Sequence, residues 1–316
     1  MALEHTRSMR TRRHSPFSLL LSGAVVALAL ASPSLGQKGA GEIELKAPTD
    51  SMSSSQDSGA RPMAVDDKEV PPAASLPCFP GAYYRKVVSS FATWTGITGI
   101  VKLGTPAVDM DRLGGPGRQP LDNFSVYMGG NAGHQEVDAG LTWEFTRDEH
   151  GAKSKMRNAW RPFWRAGSWN SAPDEKQYYW YPGDVVTMAV VVAGPGRLRL
   201  VIADAGQQPK RVFSTEFDAK GFAPRVPRQF KRVNAIDQVG NEGHPIQRTN
   251  AHVTGAIWQE TYLLRGEGDK AERFPMTTER YTDMRCPAPS VSITTDAQSK
   301  ANGGETIDIH GTPVNR

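Results

Sequence analysis

The sequence predicts an all-β fold, a two-sheet antiparallel β-sandwich, and three observations carry that expectation. The first is residues 178–205, YYWYPGDVVTMAVVVAGPGRLRLVIADA. Residues 185–193 are almost unbroken apolar and rich in β-branched side chains, as in a strand buried on both faces. Gly194-Pro195-Gly196 ends that run, because Pro offers no N–H to a ladder and Gly permits positive φ. From Arg197 the pattern alternates, with Arg197 and Arg199 on one side and Leu198, Leu200 and Ile202 on the other. The whole reads as a hairpin with a three-residue loop. The second observation is residues 136–145. Val137, Ala139, Leu141, Trp143 and Phe145 share one side, and Glu136, Asp138, Gly140, Thr142 and Glu144 share the other. The third is spacing: roughly ten short aromatic and β-branched segments follow one another, with no long amphipathic helix.

The other strands are expected at 83–91, 94–103, 123–128, 211–217, 229–236, 251–264 and 273–282. Residues 104–122 read as a Gly/Pro-rich loop. Its Asp109, Asp111 and Asp122 lack calcium-loop spacing and fit a solvated loop. Residues 147–177 read as a charged, aromatic connection. The cluster Asn234 to His244, NAIDQVGNEGH, reads as a polar turn satisfying its own backbone.

The ends differ from the middle. Residues 1–36 combine Arg7, Arg10, Arg12 and Arg13, an apolar run over 17–31, and small residues after it. That is the layout of a secretory signal peptide, with an apolar run too short to span a bilayer comfortably. Residues following Arg12-Arg13 fit the general export route better than the twin-arginine one. Residues 37–77 are rich in Ser, Pro, Ala and Gly and read as a flexible linker. A sandwich domain is expected at 78–287 and a mobile C-terminal tail at 288–316. The chain has 37 basic and 33 acidic residues; residues 1–36 hold four Arg and one Glu, leaving 33 and 32, a net charge of +1. The basic character therefore belongs to the export signal and implies no nucleic-acid partner.

Cys78 and Cys286 are the only cysteines, and in an exported chain they are expected to form one disulfide fastening the first strand to the last. No nucleophile elbow, zinc helix, phosphate loop or dinucleotide fingerprint is present. His134, His150, His244 and His252 are scattered singly. No metal site or cofactor is therefore expected.

Tyr179-Trp180-Tyr181-Pro182-Gly183-Asp184 and the apolar hairpin after it resemble the Trp/Tyr-rich segment of the glutamic peptidases (eqolisins). His134-Gln135-Glu136-Val137-Asp138 resembles the strand on which that family carries its Gln, shortly before Val-Asp. The resemblance spans about residues 124–260. It implies a concanavalin-like, jelly-roll sandwich and an acid peptidase using a Gln and a Glu on the concave sheet. Anchoring on Val137-Asp138 puts His134 at the Gln position, so Gln135 reaches it only through a one-residue bulge. Val201-Ile202-Ala203 stands where the family has Val-Glu, and the nearest acid is Asp204. The catalytic candidates under this resemblance are Gln135 or Glu136 with Asp204. Glu136-Val137-Asp138 also resembles half of the laminarinase-type glucanase motif. Gly140 and Leu141 occupy the place of the second Glu. Glu144 lies ~26 Å along an extended strand, against the ~5–5.5 Å a retaining pair needs.

The sequence thus points to an exported bacterial protein, periplasmic or extracellular and not membrane-spanning. Its leading function is binding of an extracellular polysaccharide or polypeptide on a concave polar and aromatic face, without efficient catalysis. Glu136, Asp138, Trp160, Trp164, Tyr179 and Trp180 are the expected contacts. An acid-active hydrolase of the glutamic-peptidase kind and a structural envelope protein are the alternatives.

Overall fold

The computed structural model describes residues 69–114, 119–146, 155–223, 226–266 and 268–313. The expected export signal and residues 37–68 of the expected linker lie outside the described residues. In chain order the strands are β1 (Ala82–Ser89), β2 (Gly96–Lys102), β3 (Thr105–Ala107), β4 (Leu113–Gly114), β5 (Gln119–Pro120), β6 (Asp122–Ala132), β7 (Gln135–Thr146), β8 (Lys155–Arg165) and β9 (Trp169–Ser171). They continue with β10 (Val185–Gly194), β11 (Arg197–Asp204), β12 (Val212–Asp218), β13 (Arg228–Gln238), β14 (His252–Arg265), β15 (Glu272–Pro275), β16 (Tyr281–Cys286), β17 (Val291–Thr294) and β18 (Glu305–His310).

Two antiparallel sheets form the sandwich. One has seven strands in the order β16-β1-β13-β6-β7-β8-β9; the other has nine, with β12-β11-β10-β2-β14-β18-β17 as its path and β3 and β15 pairing with β14. Alternation decides which side chains meet between the sheets. Val87, Phe124, Val126, Val137, Leu141, Phe230 and Ile236 come from the first sheet; Ile97, Val101, Val186, Met188, Leu200, Ile202 and Trp258 come from the second. Full burial of each such side chain contributes about 1.5–3 kcal/mol.

The 185–205 hairpin forms as β10 and β11. Gly194 pairs with Arg197 beyond a register shift after Val192, so the loop is the two residues Pro195-Gly196, with Gly196 at φ 69°. The inward Val186, Met188 and Val190 of β10 are buried, whereas its outward Val185, Thr187 and Val191 are half-buried. Cys78 and Cys286 are disulfide-bonded, with Cα atoms 5.7 Å apart. Cys286 pairs with Tyr84 in the β1–β16 ladder, so the bond fastens the chain ahead of β1 to the neighbouring edge strand.

Four expectations are corrected. The 147–177 connection contains β8 and β9, both in the seven-stranded sheet. The C-terminal stretch is no mobile tail: β17 and β18 extend the nine-stranded sheet, and Ile307 and Ile309 enter the core. The end of the linker is docked. Val70 pairs with Phe91, and the buried Glu69 carboxylate meets Arg280 at 3.3 Å and accepts from Ser90 Oγ at 2.6 Å. Asp109 and Asp122 are buried rather than solvated. Asp109 accepts from the N–H groups of Asn250 (2.7 Å) and Asp111 (3.0 Å), and Asp122 accepts from Arg112 Nε (2.9 Å).

A buried ion cluster joins the sheets. Glu305 on β18 takes a two-point contact from Arg85 Nε and Nη2 on β1, both at 3.0 Å, and a further contact from Arg232 Nη2 on β13. Arg232 Nη1 donates to Thr261 Oγ1 (2.9 Å) and to the Gly303 carbonyl (2.8 Å). Burial opposes the charge on Glu305, but the two guanidinium groups more than offset it and hold its pKa below the usual value. Glu305→Gln leaves the buried Arg232 without its counter-charge and Arg85 with Asp283 alone, and the expected loss is about 3–5 kcal/mol of folding free energy. Urea denaturation of the variant checks this; a loss under ~1 kcal/mol contradicts it.

Candidate functional site

The outer face of the seven-stranded sheet is built by strand alternation alone. Glu136, Asp138, Gly140, Thr142 and Glu144 of β7 point away from the core, as the pattern predicts. Their cross-strand partners place Lys231, Gly129, Asp138, Arg165 and Trp169 in one row over β13, β6, β7, β8 and β9. The adjacent row runs Lys86, Val233, Tyr127, Gly140 and Phe163. At a strand spacing of ~4.8 Å, the first row is roughly 19 Å long.

Lys231 organises the charges. Its ammonium is buried, contacts Glu136 Oε1, and lies 2.6 Å from Asp138 Oδ1. Arg165 bonds Asp138 Oδ2 through Nε (3.1 Å) and Nη2. Burial alone raises the pKa of Asp138, but Lys231 and Arg165 reverse this and hold the carboxyl below its usual range. Glu136 is about half exposed (49 %), and its second cation, Lys86, stands 4.0 Å away. Burial and then the neighbouring Lys231 lower the pKa of Lys86. Glu144 is bound by Arg161 at 2.5 Å.

Asp237 is the exception among these carboxylates. It sits at the edge of the same face on β13, and its hydrogen-bond partner is Ser125 Oγ at 2.8 Å. Burial pushes its pKa up to about 6, the negative charges of Asp138 and Glu242 add to that, and Ser125 and Arg165 oppose it. Its side chain keeps some contact with solvent. Burial, with Asp138, Asp237 and Glu136 around it, raises the Tyr127 hydroxyl well above its usual pKa and keeps it a neutral donor. The other half of the face is apolar: Tyr84, Val88, Val233, Ala235 and Met284 form a small second core against which Tyr127 packs.

The expected site residues separate. Glu136 and Asp138 share the outer face. Gln135 points to the opposite side, where its Oε1 accepts from Gly221 N at 2.7 Å. Asp204 ends β11 in the other sheet, so it is not the partner of Glu136. It accepts from Trp180 Nε1 (2.9 Å) and Arg211 N (2.9 Å) and pairs with Arg211 Nη2 (2.7 Å), which keeps its pKa low against the effect of burial. The aromatic belt is also corrected. Trp160, Tyr179 and Trp180 are at most 2 % exposed, and Trp164 points inward against Phe213. Inward alternation on β8 accounts for Trp160 and Trp164. The exposed aromatic is Trp169, 53 % accessible and stacked on the buried Phe163 with centroids 4.4 Å apart and planes 7° apart. Lys86, Ser125, Tyr127 and Lys231 are site residues beyond those the sequence suggested; alternation within 123–128 and 229–236 is the signal that places Ser125, Tyr127 and Lys231 outward.

Among the described residues, no three His, Cys, Asp or Glu side chains are placed to hold a metal ion, and no helix is long and apolar enough to cross a membrane.

No family model matches the chain, and no curated protein matches it. Solved structures similar to it include two of Scytalido-glutamic peptidase, with transition-state analogues bound. Each is 8 % identical and aligned over 72 % of this chain and 98 % of its own, with TM-scores of 0.40 and 0.42. SCP-B, a member of the eqolisin family in complex with the tripeptide Ala-Ile-His, is 9 % identical over 72 % of this chain and 98 % of its own, with a TM-score of 0.39. Likeness at this level transfers no residue's role.

The pKa of Asp237 gives a signed prediction. Its folded value, about 6, exceeds the ordinary 3.8. Its contribution to stability is therefore full below the ordinary value and is lost as pH rises through 6; Asp138, with a depressed pKa, behaves in the opposite sense. Asp237→Asn is expected to be more stable than the parent by on the order of 1–2 kcal/mol near pH 7.5, and the gap closes below about pH 4. Urea melts at the two pH values check this; a pH-independent difference contradicts it.

Proposed function

We propose that the protein binds an extracellular polymer, glycan or peptide, along the outer face of the seven-stranded sheet. The observation that supports this best is the row from Lys231 to Trp169, in which the buried Lys231 and Asp138 hold a half-exposed Arg165 beside a solvent-facing indole. Glu136, Arg165 and Trp169 offer contacts, while Asp138 and Lys231 hold them in place. Asp138 in this row and Glu136 beside it are both engaged by cations, which suits recognition better than proton transfer. The signal-peptide layout of residues 1–36 and the Cys78–Cys286 disulfide support export to an oxidising compartment.

A second reading, an acid-active hydrolase, is favoured by one observation. Asp237 keeps its proton to about pH 6 while Asp138 stays ionised, and divergent carboxyl pKa values are how paired acids and bases are assigned. The pairing of Gln135 or Glu136 with Asp204 gives this reading no support. A structural envelope role is the reading that remains if the protein neither binds nor cleaves polymer.

Retention on casein-agarose and on insoluble β-glucan, read alongside turnover of casein and laminarin between about pH 2 and 8, tests the proposal. Trp169→Ala is expected to lower retention by about tenfold with the melting temperature unchanged. Trp180→Ala, a core truncation, is expected to cost about 3–5 kcal/mol of stability. No turnover is expected. Acid-peaked cleavage that disappears in Asp237→Asn would replace binding by the hydrolase reading.

A further inference from the structure

We infer that the polymer taken by this face is an acidic glycan, a chain of uronic acid residues, recognised jointly by the Trp169 indole and the Arg165 and Lys86 cations. The inference rests on the proposed binding function and narrows its ligand.

Lys86, Lys231 and Arg165 are ion-paired only with Glu136 and Asp138, while Asp237 on the same face lies near enough to Arg165 for their charges to interact. Lys231 is buried and already committed to both carboxylates. Lys86 is the loosely held cation, 4.0 Å from Glu136 with its side chain 22 % exposed. Arg165 is 47 % exposed and uses Nε and Nη2 on Asp138, which leaves Nη1 without a hydrogen bond among the described residues. A guanidinium edge of this kind is suited to a carboxylate from outside.

The aromatic group decides between polymer classes. Arg165 and Trp169 are direct cross-strand partners on β8 and β9. Phe163 covers one face of the indole in a near-parallel stack, and the ring remains 53 % accessible. A flat, pre-ordered ring beside a cation matches a pyranose whose apolar face stacks while its carboxylate meets the guanidinium. An acidic peptide satisfies the cations but has no use for the platform. A neutral glucan uses the platform and leaves the cations unanswered, which costs affinity because their solvation is lost without compensation.

Isothermal titration of the full-length exported protein at neutral pH with polygalacturonate, laminarin and polyglutamate tests the inference. Polygalacturonate is expected to bind at least tenfold tighter than either of the others and to weaken at about 0.5 M salt. Trp169→Ala and Lys86→Gln are each expected to reduce polygalacturonate affinity several-fold, and Lys86→Gln leaves laminarin binding unchanged. Laminarin binding as tightly as polygalacturonate overturns the inference while polymer binding stands. Polyglutamate matching polygalacturonate also overturns it, since charge alone then accounts for recognition. Binding of none of the three, in a folded protein, overturns the polymer-binding function as well.

Discussion

Glu305 is the constraint from which the arrangement of this protein follows. It reaches from the last strand of one sheet into the gap between sheets and engages Arg85 and Arg232 on two neighbouring strands of the other. Such a cluster is a costly way to gain stability, because three charged groups must leave water. What it supplies is register. The side-chain period of a strand is two, so a one-residue slip of β1 or β13 would send an arginine to solvent and a lysine into the core. Arg85 is followed by Lys86, and Arg232 is preceded by Lys231. The inward arginines and the outward lysines are thus set by the same choice of register.

That coupling links fold to function. With Arg232 held inward, Lys231 is obliged to face Glu136 and Asp138 across β6. Gly129, which stands between them in the row, has no side chain to block the contact; a Cβ there would lie 1.9 Å from the Val137 carbonyl oxygen. The result is a face on which Asp138 is held ionised by Lys231 and Arg165 while Asp237 keeps its proton up to about pH 6. Asp204, the other acid proposed for chemistry, serves the architecture instead. It satisfies the indole N–H of the buried Trp180 and clamps Arg211, which in turn donates to the Tyr179 carbonyl at 2.8 Å.

Local signals in the chain carried the fold further than the site. The β10–β11 hairpin and the polar face of β7 were legible because each is written in adjacent residues. Strand β8, KMRNAWRPFWR, was obscured by its central Pro162 and by the density of Arg and Trp. Its alternation nonetheless sends Trp160 and Trp164 inward and Arg161 and Arg165 outward. Strands β17 and β18 lack aromatic residues, so ETIDIH read as tail, although Ile307 and Ile309 alternate with Thr306 and Asp308. Aromatic density alone did not distinguish buried rings from exposed ones, and Trp169 differs from its neighbours only in where β9 places it. The pairing of Lys231 with Glu136 spans 95 positions of sequence. Partners of that kind are assigned by sheet order, which no local pattern states.

The central claim is that cation placement on the outer face separates two carboxylates that are identical in chemistry. Carboxyl-detected NMR titration of Asp138 and Asp237 in one sample tests it most directly. Asp138 is predicted to titrate below 3.8 and Asp237 near 6. Coincident titration of the two, or the reverse order, would contradict the account.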